Sequence, residues 1–89
     1  MKLTDRQTHL LNELEAVHRI PGHGRVDGGW SRPMDVGGTD ASYHSAVLVQ
    51  LVRKGLAERR RYGHGSWLYR ISEAGLRLHA ERRAARVAA

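Results

Sequence analysis

The run Leu51-Val52-Arg53-Lys54-Gly55-Leu56-Ala57-Glu58-Arg59-Arg60-Arg61-Tyr62-Gly63-His64-Gly65-Ser66-Trp67-Leu68-Tyr69-Arg70-Ile71-Ser72-Glu73-Ala74-Gly75 decides how the rest of the chain is read. Gly55 ends a helical pattern, because glycine enters the left-handed conformation that closes a helix without steric cost. Leu56 to Tyr62 and Trp67 to Ile71 are short segments rich in aliphatic and aromatic residues, joined by the glycine-containing tip Gly63-His64-Gly65-Ser66. They predict a β-hairpin. Ser72 then stands where a helix wants an N-cap, with Glu73 in the first turn and Arg82, Arg83 and Arg86 near the far end, as the helix dipole favours.

Upstream of Gly55, the residues from Thr39 to Lys54 keep helical spacing, with Thr39 or Asp40 as the cap. Before them, Pro21, Gly22, Gly24, Gly28 and Gly29 crowd a stretch that no regular element tolerates. It reads as a loop, with a short strand around Arg25 to Trp30 and a brief helical turn from Ser31 to Val36 that Gly37-Gly38 ends. At the start of the chain Leu3, Leu10, Leu11, Leu14 and Val17 recur at three- and four-residue spacings, with Thr4 placed as cap and Asp5 in the first turn. An amphipathic helix from about Thr4 to His18 follows.

The 89 residues fit one domain, with an ordered body over about residues 4–80 and a fraying end over 81–89. Apolar residues make up 40% and charged residues 27%, the balance of a chain that folds. There is no cysteine, so disulfides and thiolate metal sites are excluded. With no apolar run near the roughly 20 residues that span a bilayer and no signal-peptide core, a cytoplasmic location without membrane contact is expected. The net charge of +6 is uneven. From Arg53 onward ten Lys or Arg stand against three acids, whereas the first 52 residues hold five against six. A basic half suggests a polyanion as partner, since neutralising phosphates releases counterions. The plainer alternative is a solvated Arg-rich surface.

The order helix, short helix, helix, hairpin, helix is that of the winged helix-turn-helix, an α+β and mostly helical fold with a three-helix core, a two-stranded wing and a C-terminal helix. Leu51 to Arg60, followed by Tyr69-Arg70-Ile71-Ser72-Glu73-Ala74-Gly75, resembles winged-helix transcription regulators of the multiple-antibiotic-resistance repressor type. In those proteins the recognition helix ends at a Gly-Leu, a charged hairpin forms the wing, and a Thr or Ser starts the next helix with a Gly one turn in. The match covers Leu51 to Gly75, and the general layout extends from Thr4 to about Ala80. The chain departs from the pattern in its glycine-rich segment Pro21 to Gly38, unlike a regular second helix, and in lacking long flanking dimerisation helices.

On a wheel of 100° per residue, the 39–54 helix puts His44, Val47, Leu48, Leu51 and Val52 on a core face. Thr39, Ser42, Tyr43, Ala46, Gln50 and Arg53 fall opposite, a row of small and hydrogen-bonding residues without an acid at its centre. Such a face suits a DNA major groove: Ser, Thr and Gln reach base edges, Ala46 lets the backbone approach, and Tyr43 meets a phosphate or a base. Thr39, Ser42, Tyr43, Ala46 and Gln50 are therefore the candidate base readers, the earliest of them entering deepest. Val49 lies at the edge of this face, where it either packs under the wing or marks a protein contact.

Arg59-Arg60-Arg61 with the tip residues His64 and Ser66 form a candidate wing along the phosphate backbone, and Arg32, Arg53 and Lys54 complete a phosphate clamp. Strand alternation puts Arg59 and Arg61 on one face and Arg60 on the other, so the three cannot contact DNA equally. Trp67, Tyr69 and Ile71 share a face and read as core. Six histidines show no zinc-like spacing, and no nucleophile-base pair, carboxylate pair or phosphate-binding glycine loop stands in a suitable context. Neither a metal, a cofactor nor an enzymatic activity is expected.

These readings converge on a double-stranded DNA-binding protein, a small transcription regulator or a mobile-element DNA-transaction factor. The rival is a winged-helix protein-interaction module or inhibitor that turns its basic face to an acidic protein, with Val49, Trp30 and the glycine-rich loop in the contact. A weaker third reading is single-stranded nucleic-acid binding by aromatic stacking. Should two chains pair as a homodimer through the last helix, Leu76, Ala80, Arg83 and Val87 form the seam.

Overall fold

The computed structural model describes residues 2–20, 30–33, 36, 41–63 and 65–88, without the side chains of residues 41–44, 62, 66 and 88. The elements run α1 (Asp5–Arg19), α2 (Ala41–Arg53), β1 (Ala57–Tyr62), β2 (Ser66–Ile71) and α3 (Glu73–Ala88). Among the described residues this is a small α+β fold of three helices and one two-stranded antiparallel sheet. No helix among them is long and apolar enough to cross a membrane.

Helix α1 begins at a capping box that spares two orphan donors at once. Thr4 Oγ1 accepts from the Gln7 N–H at 3.1 Å, and Gln7 Oε1 accepts from the Thr4 N–H at 3.0 Å. Its apolar stripe, Leu10, Leu11, Leu14 and Val17, is buried. Val47, Leu48 and Leu51 of α2 meet it, and Leu56, Tyr69 and Ile71 close the same cluster from the hairpin side. Removing each fully buried leucine from water stabilises the fold by about 1.5–3 kcal/mol before entropy is counted.

The turn from α2 into β1 is a Schellman motif. The Leu56 N–H donates to the Leu51 carbonyl and the Gly55 N–H to the Val52 carbonyl, both at 2.9 Å. Gly55 takes φ +78°, which a side chain would resist. Leu51 and Leu56, the residues this motif brings together, are both buried. Ser72 ties the start of α3 to the same place. Its Oγ accepts from the Gly75 N–H at 3.0 Å, as an N-cap does, and donates to the Gly55 carbonyl at 2.6 Å. Gly75 is required there, because a Cβ would overlap the Leu56 carbonyl and stand 2.7 Å from Ile71 Cγ1. Gly55, Ser72 and Gly75 thus form one knot joining α2, the hairpin and α3.

One expectation is corrected. Ser31 does not open a helical turn: it exchanges both backbone hydrogen bonds with Tyr69 (2.9 and 2.8 Å), an isolated antiparallel bridge on the free edge of β2. A short turn follows, in which the Val36 N–H donates to the Pro33 carbonyl at 3.2 Å. The non-local partner wins because an edge strand offers donors and acceptors that a single helical turn leaves unpaired. At the other end α3 continues over residues 81–88. That stretch is rich in Ala and Arg, both strong helix formers, and holds no glycine or proline. The loop and strand read over Arg25 to Gly29, the cap at Thr39 or Asp40 and the stop at Gly37-Gly38 lie outside the described residues.

Candidate nucleic-acid interface

Helix α2 and the hairpin carry the candidate residues. On α2, Val47, Leu48 and Leu51 are buried, while Ala46, Gln50 and Arg53 are exposed, as the wheel separates them. Ser42 and Tyr43 lie in the first turn of α2; their side chains, and Thr39 and His64 altogether, fall outside the described residues. Gln50 is not an unengaged base reader, since its Oε1 accepts from Gln7 Nε2 at 2.9 Å and ties α2 to the start of α1. The Thr-x-x-Gln spacing at 4–7 was the signal for the capping role of Gln7; nothing local announces its second bond to a residue 43 positions away. Val49 is partly buried and packs against the core.

In the hairpin, Arg59 pairs across the ladder with Tyr69, Arg60 with Leu68, Arg61 with Trp67 and Tyr62 with Ser66. Three consecutive arginines are exposed, yet all three are held. The Arg59 and Arg61 guanidiniums stand over the Trp67 ring, 4.2 and 5.0 Å from its centroid. On the opposite strand face Arg60 and Arg70 stand over Trp30, at 4.7 and 4.5 Å. The alternation that separates Arg60 from its neighbours is therefore seen as two different indole platforms. Trp67 packs at the edge of the main core and Trp30 is 8% exposed. Arg70 also donates to its cross-strand partner Glu58, Nε to Oε1 at 3.2 Å. Arg70 is not among the candidate site residues of the sequence, because a four-residue tip over 63–66 sets Arg59 against it; the observed pairing of Tyr62 with Ser66 shifts the register by one and brings Glu58 opposite.

The chemistry of this arrangement follows from the guanidinium. It is planar, permanently charged and weakly hydrated, so stacking on an indole costs it little solvation. Stacking also leaves the N–H edges directed outward in the plane of the group, where phosphate oxygens are accepted bidentately. Arg53 and Lys54, exposed at the end of α2, extend the cationic surface toward β1. Arg32 is half-buried and already held by an interaction within the chain. Ser66 opens β2.

What these elements define is a small α+β domain with a cationic hairpin beside an exposed helix face. Comparison with protein-family models, with curated proteins and with solved structures found no match.

Proposed function

We propose that this chain is a winged-helix domain of the multiple-antibiotic-resistance repressor type that binds double-stranded DNA, acting as a small regulator of transcription or of a DNA transaction. The observation that carries the reading is the arginine hairpin: four guanidiniums stacked on two tryptophans, next to the exposed, acid-free face of α2. In this reading the first half of α2 enters the major groove and β1 with its tip follows the phosphates. Arg59 and Arg61 share the strand face that Tyr69 and Ile71 turn to the core, the side on which α2 lies, and they flank the duplex. Arg60, on the Trp30 side, contributes less.

The packing of Val49 and the burial of Trp30 support this reading over the protein-interaction module, which needs both as exposed contacts. They also weigh against base stacking on single strands, since the rings of Trp30 and Trp67 are each covered by arginines.

The test is fluorescence anisotropy of a labelled duplex at several salt concentrations, with the matching single strand alongside. Preferential duplex binding that falls steeply with salt is expected, and Arg61→Ala should lower the slope of log K against log[salt] by about one while Arg60→Ala changes it less. Binding that is absent, or equal for the single strand, would refute the proposal and direct the search to an acidic protein partner.

A further inference from the structure

Away from α2 and the hairpin, α1 and α3 enclose a cleft of about 360 Å³ lined only by their own residues. Thr8, Asn12, Glu15 and Arg19 form one stripe of α1, and His79, Arg82, Arg83 and Arg86 one stripe of α3. Each set recurs at three- and four-residue spacing, so each lies on a single helix face. Four guanidiniums and an imidazole surround this space against the single carboxylate of Glu15. The volume is at the small end of ordinary ligand sites.

Glu15 acts as a strut. Its Oε1 accepts from Arg19 Nε at 2.9 Å and its Oε2 lies 3.7 Å from His79 Nε2, while only 12% of its side chain is exposed. Arg82 Nη1 donates to Thr8 Oγ1 at 3.2 Å, which holds a guanidinium across the cleft. Arg83 and Arg86 have no hydrogen bond or ion pair among the described residues. Like charges three and four residues apart on a helix repel one another. The helix dipole accounts for Arg86, which lies in the last turn, but not for Arg82 and Arg83. An anion seated between the stripes would relieve that repulsion and accept from the unpaired guanidiniums.

We propose that the α1–α3 cleft is a binding site for a compact polyphosphate, recognised through its phosphate oxygens. No Phe, Tyr or Trp lines it, and its cations meet the phosphate oxygens that a free polyphosphate and a nucleoside triphosphate share, so the two are held by the same chemistry. This site is separate from the DNA-binding reading and stands or falls without it.

The experiment measures thermal unfolding and titration calorimetry of the intact chain with inorganic tripolyphosphate, against sodium chloride of matched ionic strength. At a concentration a hundredfold above Kd, tripolyphosphate should raise the Tm by roughly 10 °C more than the salt control. Arg83→Ala with Arg86→Ala, a change that keeps good helix formers on an exposed face, should weaken binding at least about tenfold. The variant Lys2→Ala with Arg77→Ala, which removes two exposed cations outside the cleft, should bind tripolyphosphate as the parent does. A nucleoside triphosphate should match tripolyphosphate within about threefold. The proposal is overturned by a Tm gain no greater than the salt control, by equal loss in the Lys2, Arg77 variant, or by a clear preference for the nucleotide. It is likewise overturned if a short duplex competes for the cleft more strongly than tripolyphosphate and loses that advantage in the Arg83, Arg86 variant, which would make the cleft a second DNA face.

Discussion

Gly75 and Gly55 are both glycines for backbone reasons, and the reasons differ enough to be separated by one substitution each. At Gly75 the obstacle is the main chain of Leu56, which cannot swing aside as a side chain would. Gly75→Ala should therefore push α3 off the α2–β1 turn and strain both Ser72 hydrogen bonds, at a cost of roughly 2–4 kcal/mol. At Gly55 nothing lies within 4 Å of a Cβ, and the only penalty is the φ of +78°. Gly55→Ala should cost about 1 kcal/mol and Gly55→Asn less. Urea unfolding of the three variants measures both effects; a Gly75→Ala loss no larger than that of Gly55→Ala would mean α3 is not docked as described. Ser31 makes the opposite prediction. Its hydroxyl is fully buried without a hydrogen-bond partner among the described residues, while its backbone carries the bridge to Tyr69. Ser31→Ala should leave stability unchanged or raise it by up to about 1 kcal/mol, since it removes a desolvated polar group and keeps both backbone bonds.

At the level of the elements, what could be read from sequence was what local physics determines. The stripe Leu10, Leu11, Leu14 and Val17, the Gly55 stop and the Ser72 cap each rest on neighbours within one or two turns, and each stands within a residue or two of its expected place. The separation of Arg59 and Arg61 from Arg60 was legible for the same reason, being a property of strand alternation. Ser31 was not legible. Its local context, with Pro33 two residues on, suits the first turn of a helix, and only the edge of β2, some forty residues away, makes it a strand residue. The platforms under the arginines were hidden likewise, because Trp30 lies far from the hairpin in sequence. They make the hairpin testable as an element. Trp67→Leu keeps an apolar residue against the core but removes the surface on which Arg59 and Arg61 rest. It should weaken duplex binding roughly three- to tenfold through lost preorganisation. All charges remain, so the salt slope should hold, whereas Arg61→Ala should lower affinity and slope together. Equal slopes in the two variants would remove the distinction between positioning and contact.

Across the whole molecule, charge sets folding and binding against each other. The chain carries a net +6 on a body measuring 45 × 26 × 22 Å. At about 0.01 M salt the screening length is about 30 Å, longer than the two smaller dimensions, so most of its cations feel one another; at about 0.1 M it is about 10 Å and they do not. Self-repulsion should thus destabilise the fold at low salt, most of all along Arg82, Arg83 and Arg86 of α3. Ion pairs such as Arg19 with Glu15 and Arg70 with Glu58 oppose this trend. Salt weakens them, yet the Arg70–Glu58 pair is partly solvated on both sides and pairs of that kind contribute about 0–1 kcal/mol. Repulsion among fifteen cations against nine acids should prevail, and raising the salt tenfold over this range should raise the Tm by several degrees. Over the same range duplex affinity should fall, since the counterions displaced from the phosphates gain less entropy on entering a more concentrated solution. Thermal unfolding and anisotropy measured on the same samples decide the matter. Opposite slopes would place the arginines on a surface that is strained without a polyanion and relieved by one, while a Tm that falls with salt would mean that internal ion pairs, and not an absent partner, account for the excess of arginine.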